Sequence, residues 1–333
     1  MSISTAQAAP IASGVAHALQ SLDDGSEAIA ARTEAWSAIN SGSLEPDGLA
    51  RMRAPMLEAC AALPGDASLV ALAPTQRVRA DGETEAIDHG ASIRVRVRPE
   101  APIQVALTGH YDTVFPAKHA FQKPWRDGET MHGPGVADMK GGIAVMLAAL
   151  SAFEATPDAK NLGYEILLSP DEEIGSPASA ALLAELGARS HLGMTYEPAL
   201  ADGGLVSSRK GSGNFSLVLR GRAAHVGRAF GDGRSAVMAG AHAALALDAL
   251  NGKREGATSM SARSKAGGAV NIVPDKAVAA LQCARAGSGK APLGLEARSR
   301  ASSPRSARET ASPRICTAAS RGRPNRSRPR NTF

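Results

Sequence analysis

The chain has 333 residues, of which 44% are hydrophobic and 21% are charged, the composition of a globular protein with a sizeable core. Its 37 Lys and Arg exceed its 32 Asp and Glu, so the formal net charge is +5 and a polyanion partner has to be considered. Three cysteines without paired spacing argue against a disulfide scaffold, and no stretch reaches the roughly 18 uncharged apolar residues of a membrane helix.

The first predicted elements are two helices followed by two strands. Apolar residues at three- and four-residue steps predict helices over residues 22–40 and 46–63. Strict alternation in SIRVRV (92–97) predicts a half-buried strand. The continuous apolar run IQVALT (103–108) predicts a strand that is covered on both faces.

The next segment continues this alternation of elements. GGIAVMLAALSAF (141–153) predicts an apolar helix, YEILL (164–168) a buried strand, and residues 178–186 another helix. Alternating strands and helices predict an α/β domain over residues 1–206, with a mixed sheet flanked by helices.

Residues 207–282 show a different pattern. A strand is predicted at 214–220, a helix at 233–250, and strands at 259–265 and 277–281. This β-α-β-β order begins a ferredoxin-like α+β domain, which normally has one more helix and one more strand. The segment therefore predicts a second, smaller domain that is incomplete.

The last 51 residues resemble neither domain. Residues 283–333 hold 12 of the Lys and Arg and 2 of the Asp and Glu. Residues 1–282 hold the remaining 25 Lys and Arg and 30 Asp and Glu, so their net charge is −5. Arg, Ala, Ser and Pro make up 33 of the 51, so the tail has too few apolar side chains for a core and is expected to be disordered. A basic tail that binds nucleic acid stays an alternative. Because Phe333 is its only aromatic residue, we expect neither a nucleic-acid nor a membrane partner.

Four polar clusters lie beside predicted strands and helices, where catalytic groups are often found: GHYDT (109–113), GPGVADMKGG (133–142), SPDEEIG (169–175) and YEP (196–198). Taken alone, the first three have structural alternatives: His110 and Asp112 as a structural pair, Asp138 as a helix N-cap, the acids at 171–173 as a solvated turn. The fourth, YEP, signifies little by itself. Together, one His and several carboxylates form a ligand set that suits Zn²⁺, Co²⁺ or Mn²⁺. Two such ions can share a bridging carboxylate.

These four segments, in this order, resemble the co-catalytic zinc metallohydrolases, the family of glutamate carboxypeptidase, acetylornithine deacetylase and succinyl-diaminopimelate desuccinylase. The resemblance runs from about residue 101 to residue 280. It implies two zinc ions: His110 and Glu197 would bind one, Glu173 the other, and Asp138 would bridge both. It also implies a cis peptide bond between Asp138 and Met139.

The resemblance implies further roles. Asp112 would orient His110, and Glu172 would be the general base that deprotonates the attacking water and passes the proton to the leaving nitrogen. RKGSGNFSLVLRGRAAHVG (209–227) resembles the family's lid and dimerisation domain, whose histidine stabilises the oxyanion, often across the dimer interface. That histidine would be His225, which by itself would read as an ordinary loop residue. Asn271 resembles the lid residue that holds the substrate carboxylate, and a homodimer is implied.

The chain departs from this family after about residue 280. The family has a further His ligand near its C-terminus, but the last histidine here is His242, so the second zinc site would lack its final ligand. LQCA (281–284) is what a shifted reading frame of a typical family strand would encode. We therefore expect truncation or a frameshift near this point, with the tail out of frame and the activity impaired.

The implied reaction is hydrolysis of an amide bond next to a free carboxylate, in a small peptide with an acidic C-terminus or an N-acyl glutamate. The HYDTV and SPDEEIG contexts favour this peptidase branch. An N-acyl amino acid deacylase, such as acetylornithine deacetylase, is the first alternative, and an inactive fragment or dimerisation partner is the second. No Lys or Arg precedes Arg32, so a secretory signal is not indicated and a cytoplasmic location is expected.

Overall fold

The computed structural model describes residues 13–206, 211–253, 255–285 and 314–316. These residues form two compact units. One unit takes in the described parts of 1–73 and 88–205, and the other takes in those of 74–87 and 206–333. The domain limits expected from the sequence stay predictions, and the structure groups the hairpin within residues 74–87 with the second unit.

The helices are α1 (Ser13–Asp24), α2 (Ser26–Ser37), α3 (Pro46–Cys60), α4 (Gly141–Glu154), α5 (Ala180–Arg189), α6 (Val226–Ala229) and α7 (Ala236–Asp248). The strands are β1 (Asp66–Ala71), β2 (Thr75–Val78), β3 (Thr84–Ile87), β4 (Ala91–Val97), β5 (Gln104–His110), β6 (Trp125–Asp127), β7 (Thr130–His132), β8 (Gly163–Ser169), β9 (Leu192–Thr195), β10 (Gly211–Arg220), β11 (Ala257–Ala266), β12 (Lys276–Arg285) and β13 (Arg314–Cys316). The single helix predicted over 22–40 is divided at Gly25, where α1 has ended and α2 has not begun. Glycine is a poor residue for a helix interior.

The first unit is built on a five-stranded mixed sheet in the order β1-β4-β8-β5-β9. β5 runs parallel to both β8 and β9, whereas β4 is antiparallel to β8 and β1 is antiparallel to β4. All seven residues of β8 are buried, as expected of a central strand covered on both faces. Because three neighbouring strands are parallel, their carboxyl ends meet, and the segments that follow residues 110, 169 and 195 leave the sheet at one edge.

Helices cover both faces of this sheet, which confirms the predicted α/β architecture. On one face, Met56 of α3 and Leu147 of α4 share a core cluster with Ile166 of β8. On the other face, Leu186 of α5 packs with Leu167 of β8. Adjacent strand residues point to opposite faces, so the continuous apolar run of β8 serves both layers. Each fully buried Leu or Ile stabilises the fold by about 1.5–3 kcal/mol.

α4 and the turn before it, Val136–Glu154, have the length and the mean hydropathy (1.5) of a membrane-spanning helix. A core helix has the same properties. α4 buries Ile143, Met146 and Leu147 in the main core cluster of the first unit. This burial accounts for its apolar sequence.

The second unit contains an antiparallel sheet in the order β11-β12-β10-β13. Its small core joins Leu217 of β10 to Ala279 and Leu281 of β12, with α7 packed against them. Glu83, in the hairpin of β2 and β3, accepts a hydrogen bond from Lys276 Nζ at 3.1 Å, which ties the hairpin to this unit.

Of the expected tail, 283–333, the structure describes residues 283–285 and 314–316. The first three end β12, and the other three form β13, which pairs with β10. The expectations of disorder and of a shifted reading frame otherwise concern residues outside the described part of the chain.

Candidate metal centre

His110 is the last residue of β5, and its ring is buried at the edge where the parallel strands end. Nδ1 lies 3.0 Å from the main-chain oxygen of Asp112, so it donates its hydrogen there and Nε2 faces the site. Nε2 lies 2.9 Å from Asp138 Oδ1, 3.5 Å from Glu197 Oε1 and 3.8 Å from Glu172 Oε2. One imidazole nitrogen therefore meets carboxylates from three separate segments.

Asp138 reaches the site from a tight turn, Val136–Lys140, that leads directly into α4. The peptide bond between Asp138 and Met139 is cis, as the family resemblance implies. The N-cap of α4 is Lys140, so Asp138 does not cap this helix. Its side chain is 53% exposed and points its carboxylate at His110.

The acids at 171–173 have different surroundings, and the alternative of a solvated acidic turn does not describe Asp171. Asp171 is fully buried, and it accepts hydrogen bonds from Ala178 N at 2.6 Å and from Ser179 N and Oγ at 3.1 and 2.6 Å. It therefore holds the loop that leads to α5. Glu172, the next residue, turns its carboxylate towards the site, with Oε2 3.8 Å from His110 Nε2.

Asp112 lies beneath the site and is also fully buried. Its carboxylate accepts hydrogen bonds from the main-chain N–H groups of Glu172 and Glu173, both at 3.1 Å, and from Ser43 Oγ at 2.7 Å. Oδ1 also lies 3.3 Å from His110 Nδ1. One carboxylate thus contacts the imidazole and holds the backbone of both glutamates.

The charges in this site strongly perturb each other. Burial by itself lowers the pKa of His110, but hydrogen bonds and charges from Asp112 and Glu197 outweigh burial and raise that pKa to about 11. Burial, with the nearby charge of Asp138, raises the pKa of Glu173 to about 7. Crowded, partly buried carboxylates of this kind are stabilised by a cation.

The donor set fits a divalent metal ion. The ligand atoms of His110, Asp138 and Glu197 all lie within 4.8 Å of one another, so one ion can reach all three. One imidazole nitrogen and carboxylate oxygens are ligands that zinc takes in catalytic sites. Glu173 is not among these three donors, and its role as ligand of a second ion stays a prediction.

A cavity of about 210 Å³ adjoins these side chains. His110, Glu172 and Glu197 form one part of its lining, and Thr108 and Leu183 contribute to the rest. A small acyl or amino acid group is of a size that such a space admits.

The other two predicted residues, His225 and Asn271, lie in the second unit and are next to each other. His225 forms an antiparallel bridge with Ile272, and Val226 N donates to the main-chain oxygen of Asn271 at 2.9 Å. His225 Nδ1 accepts a hydrogen bond from Gly227 N at 3.1 Å. The neutral ring therefore carries its hydrogen on Nε2.

Sequence reasoning missed three residues that support the site. Ser43 bonds Asp112, and Asp171 shapes the loop that carries the glutamates. Lys140 is fully buried, and its Nζ donates to the main-chain oxygens of Trp36 and Ile39 at 3.1 and 2.8 Å. Burial lowers the pKa of this lysine to about 7. Lys140 and Asp171 stand inside the quoted motifs, whereas Ser43 has no local signal because its partner is 69 residues away.

Two family models match the chain. "Peptidase family M20/M25/M40" matches residues 106–226, and "Peptidase dimerisation domain" matches residues 207–293. Succinyl-diaminopimelate desuccinylase of Novosphingobium aromaticivorans is 34% identical over 142 residues, which are 40% of this chain and 37% of that protein. Carboxypeptidase G2 of a Pseudomonas species is 28% identical over 190 residues, 56% of this chain and 46% of that protein. The chain thus matches less than half the length of either relative.

Solved structures share the fold. Human carnosine dipeptidase 1 superposes with a TM-score of 0.58 at 15% identity, over 81% of this chain and 72% of that one. A metallo-carboxypeptidase of the M20 family from Sulfolobus solfataricus gives a TM-score of 0.55 at 15% identity, over 83% and 71%. These likenesses, together with the sheet and helices above, confirm the expected fold class.

Proposed function

The chain belongs to peptidase family M20/M25/M40, and on that premise we propose that it is a metal-dependent hydrolase of the carboxypeptidase type. The bond that it would cleave is an amide bond next to a free carboxylate. The observation that carries the proposal is the convergence of His110, Asp138 and Glu197 within 4.8 Å. The relative named carboxypeptidase G2 supports the peptidase branch.

The proposed ligands divide between two ions. His110 and Glu197 would hold one zinc ion, Glu173 the other, and Asp138 would lie between them; cobalt or manganese suits the same donors. The bound metal would polarise the substrate carbonyl and make water a nucleophile at neutral pH. Asp112 contacts Nδ1 of His110, so Nε2 would be the ring nitrogen that binds the metal.

Glu172 is the proposed general base. Its main-chain N–H is anchored on Asp112, and its carboxylate lies 3.8 Å from His110 Nε2, beside the ligands. Burial, together with the charge of Glu197, raises its pKa, which brings the carboxylate closer to the pH at which it must accept a proton. It would take a proton from the attacking water and deliver it to the leaving nitrogen.

His225 and Asn271 are proposed to act on the substrate. Because Nδ1 of His225 accepts from Gly227, Nε2–H of the neutral ring is the donor available to a developing oxyanion. The neighbouring Asn271 amide would hold the substrate carboxylate. The match to a peptidase dimerisation domain supports a homodimer. A cytoplasmic location is also part of this proposal.

A deacylase is the second candidate. It is favoured by the relative named succinyl-diaminopimelate desuccinylase, whose name describes removal of an acyl group. An inactive fragment remains the third reading, since the resemblance implies a histidine ligand after His242 that this sequence does not contain.

The test combines metal analysis with an assay. The 333-residue chain is loaded with zinc, its metal content is measured by mass spectrometry, and turnover is followed on an N-acyl glutamate, a dipeptide ending in glutamate, and N-acetylornithine. Metal binding with turnover of the first two substrates supports the proposal, and preference for N-acetylornithine supports the deacylase. Metal binding without any turnover supports the inactive fragment. Failure to bind metal overturns the proposal.

A variant pair locates the base. Glu172→Gln should retain metal and lose activity by about 100-fold or more, as expected for a general base. Glu185→Gln changes an exposed carboxylate of α5 and should behave as wild type. Equal activities of the two variants would remove Glu172 from the mechanism.

A further inference from the structure

Ser43 stands in a short segment whose main chain is hydrogen-bonded to Thr113, three residues after the end of β5. Thr113 N donates to Ser41 O at 2.9 Å, and Ser43 N donates to Thr113 O at 3.2 Å. Gly42, between the two serines, packs so closely that a β-carbon there would lie 2.7 Å from Phe115 O. The backbone of Ser43 is therefore held in place beside the residues that follow β5.

The hydroxyl of Ser43 is aimed at the buried carboxylate of Asp112. Oγ lies 2.7 Å from Asp112 Oδ2 and 3.4 Å from Thr113 O. A serine hydroxyl has one hydrogen, and the shorter contact to an ionised oxygen is the stronger bond. Ser43 is itself buried, so water cannot replace this donor without rearrangement.

Asp112 needs this donor because its carboxylate is fully buried and contacts three segments at once. Oδ2 is shared by Ser43 Oγ and Glu173 N, and Oδ1 by Glu172 N and His110 Nδ1. Without the hydroxyl, Oδ2 keeps only the Glu173 amide, and rotation of the carboxylate would disturb all the groups bonded to it.

We propose that Ser43 is a positioning residue of the metal centre: it fixes the Asp112 carboxylate and thereby sets the imidazole of His110 and the backbone of Glu172 and Glu173. This inference rests on the proposed function, since it presumes that these side chains receive a metal ion. Ser43 is not one of the proposed metal ligands, and its hydroxyl is bonded to Asp112. Its effect is on how well the ligands are held before the ion arrives.

The chain offers a matched control two residues away. Ser41 is buried, as Ser43 is, but its Oγ has no hydrogen-bond partner among the described residues. Ser41→Ala and Ser43→Ala therefore remove the same atom from the same segment, and only the second removes a bond to Asp112.

The experiment titrates the metal-free 333-residue chain and both variants with cobalt(II) chloride and follows the visible absorption of the bound ion. We expect Ser43→Ala to bind cobalt about 10-fold more weakly than wild type and to show a shifted absorption band, since residues that orient ligands contribute about 10- to 100-fold to affinity. Ser41→Ala should match wild type in affinity and in spectrum. A loss of stability alone would leave the spectrum of the bound ion unchanged.

The outcomes separate this inference from the proposed function. If the wild-type chain binds no cobalt, the proposed function fails. If wild type binds and Ser43→Ala has the same affinity and spectrum, only the role of Ser43 is overturned. Should Ser43→Ala not fold, Ser43→Gly deletes the same hydroxyl and is measured in its place. Failure of both to fold while Ser41→Ala folds would mark Ser43 as a folding residue and also overturn the inference.

Discussion

Gly142 of α4 packs directly against the main chain of Tyr196: a β-carbon at residue 142 would overlap the carbonyl oxygen of Tyr196. Tyr196 immediately precedes Glu197, whose carboxylate lies 3.5 Å from His110 Nε2. α4, which follows the turn that carries Asp138, therefore sets how closely the segment that carries Glu197 can approach. Only glycine permits this approach.

Gly142→Ala should therefore displace the segment that carries Glu197. We expect metal affinity to fall by about 10-fold or more, the size of effect seen when the support of a ligand is lost. Gly187→Ala is the control, since Gly187 lies in α5 and a β-carbon there meets nothing within 4 Å. That variant should be more stable by about 0.5–1 kcal/mol with unchanged affinity. Cobalt titration and thermal unfolding measure both, and unchanged affinity in Gly142→Ala would contradict the expectation.

Metal binding should release protons. The metal-free site holds His110 with its pKa raised to about 11, so at pH 7 the ring is protonated and must lose a proton to become a ligand. We expect release of about one proton or more per chain at pH 7, and tighter binding as the pH rises. Calorimetric zinc titrations in buffers of different ionisation enthalpy measure this number. A value of zero would show that the ring is neutral before the ion binds.

Asp171 should prove to be structural, although it stands beside the proposed base. Asp171→Asn leaves one oxygen where two now accept from Ala178 and Ser179. Hydrogen bonds to a charged acceptor contribute about 1.5–3 kcal/mol, so the free energy of unfolding should fall by that order. Chemical denaturation measures it, with Glu185→Gln as an exposed control. A variant of wild-type stability would show that the loop is held by other contacts.

Cys60 should make the chain less stable at high pH. Burial is the main cause that raises the pKa of this thiol from 9.0 to about 12. Between those two values the unfolded chain loses the thiol proton while the folded chain keeps it, so folding stability falls as the pH rises above 9. The slope approaches about 1.4 kcal/mol per pH unit. Cys60→Ala should lack this component when the two proteins are denatured at pH 8 and pH 10, and parallel losses would refute it.

Strongly apolar elements could be predicted from the sequence, whereas the short exposed strand β9 could not. β5, β8 and α4 are apolar because they are covered, so their positions were predicted to within a few residues. β9 was missed because all four of its residues are exposed and its sequence lacks a clear period.

Some features of the candidate site could likewise be predicted from the sequence, and others could not. The clusters at 110, 138, 172–173 and 197 could be found in the sequence because histidine and acidic residues there follow strands and glycines. The contact of Ser43 with Asp112 depends on the fold alone, since neither residue has a local pattern that points to the other. The different surroundings of Asp171 and its two neighbours were equally hidden, because three adjacent acids look alike in a sequence.

His110 of β5 is paired with Ser169 of β8. The direction in which its imidazole points therefore depends on the register of the whole of β5. Side chains alternate along a strand, so a slip of one residue would turn the imidazole to the face that α4 covers. Val105 and Leu107, buried in the main core cluster, resist that slip because it would move them out of this cluster to the opposite face of the sheet. The apolar residues of β5 thus aim the imidazole, and a substitution among them would misdirect His110 while leaving every ligand in the sequence.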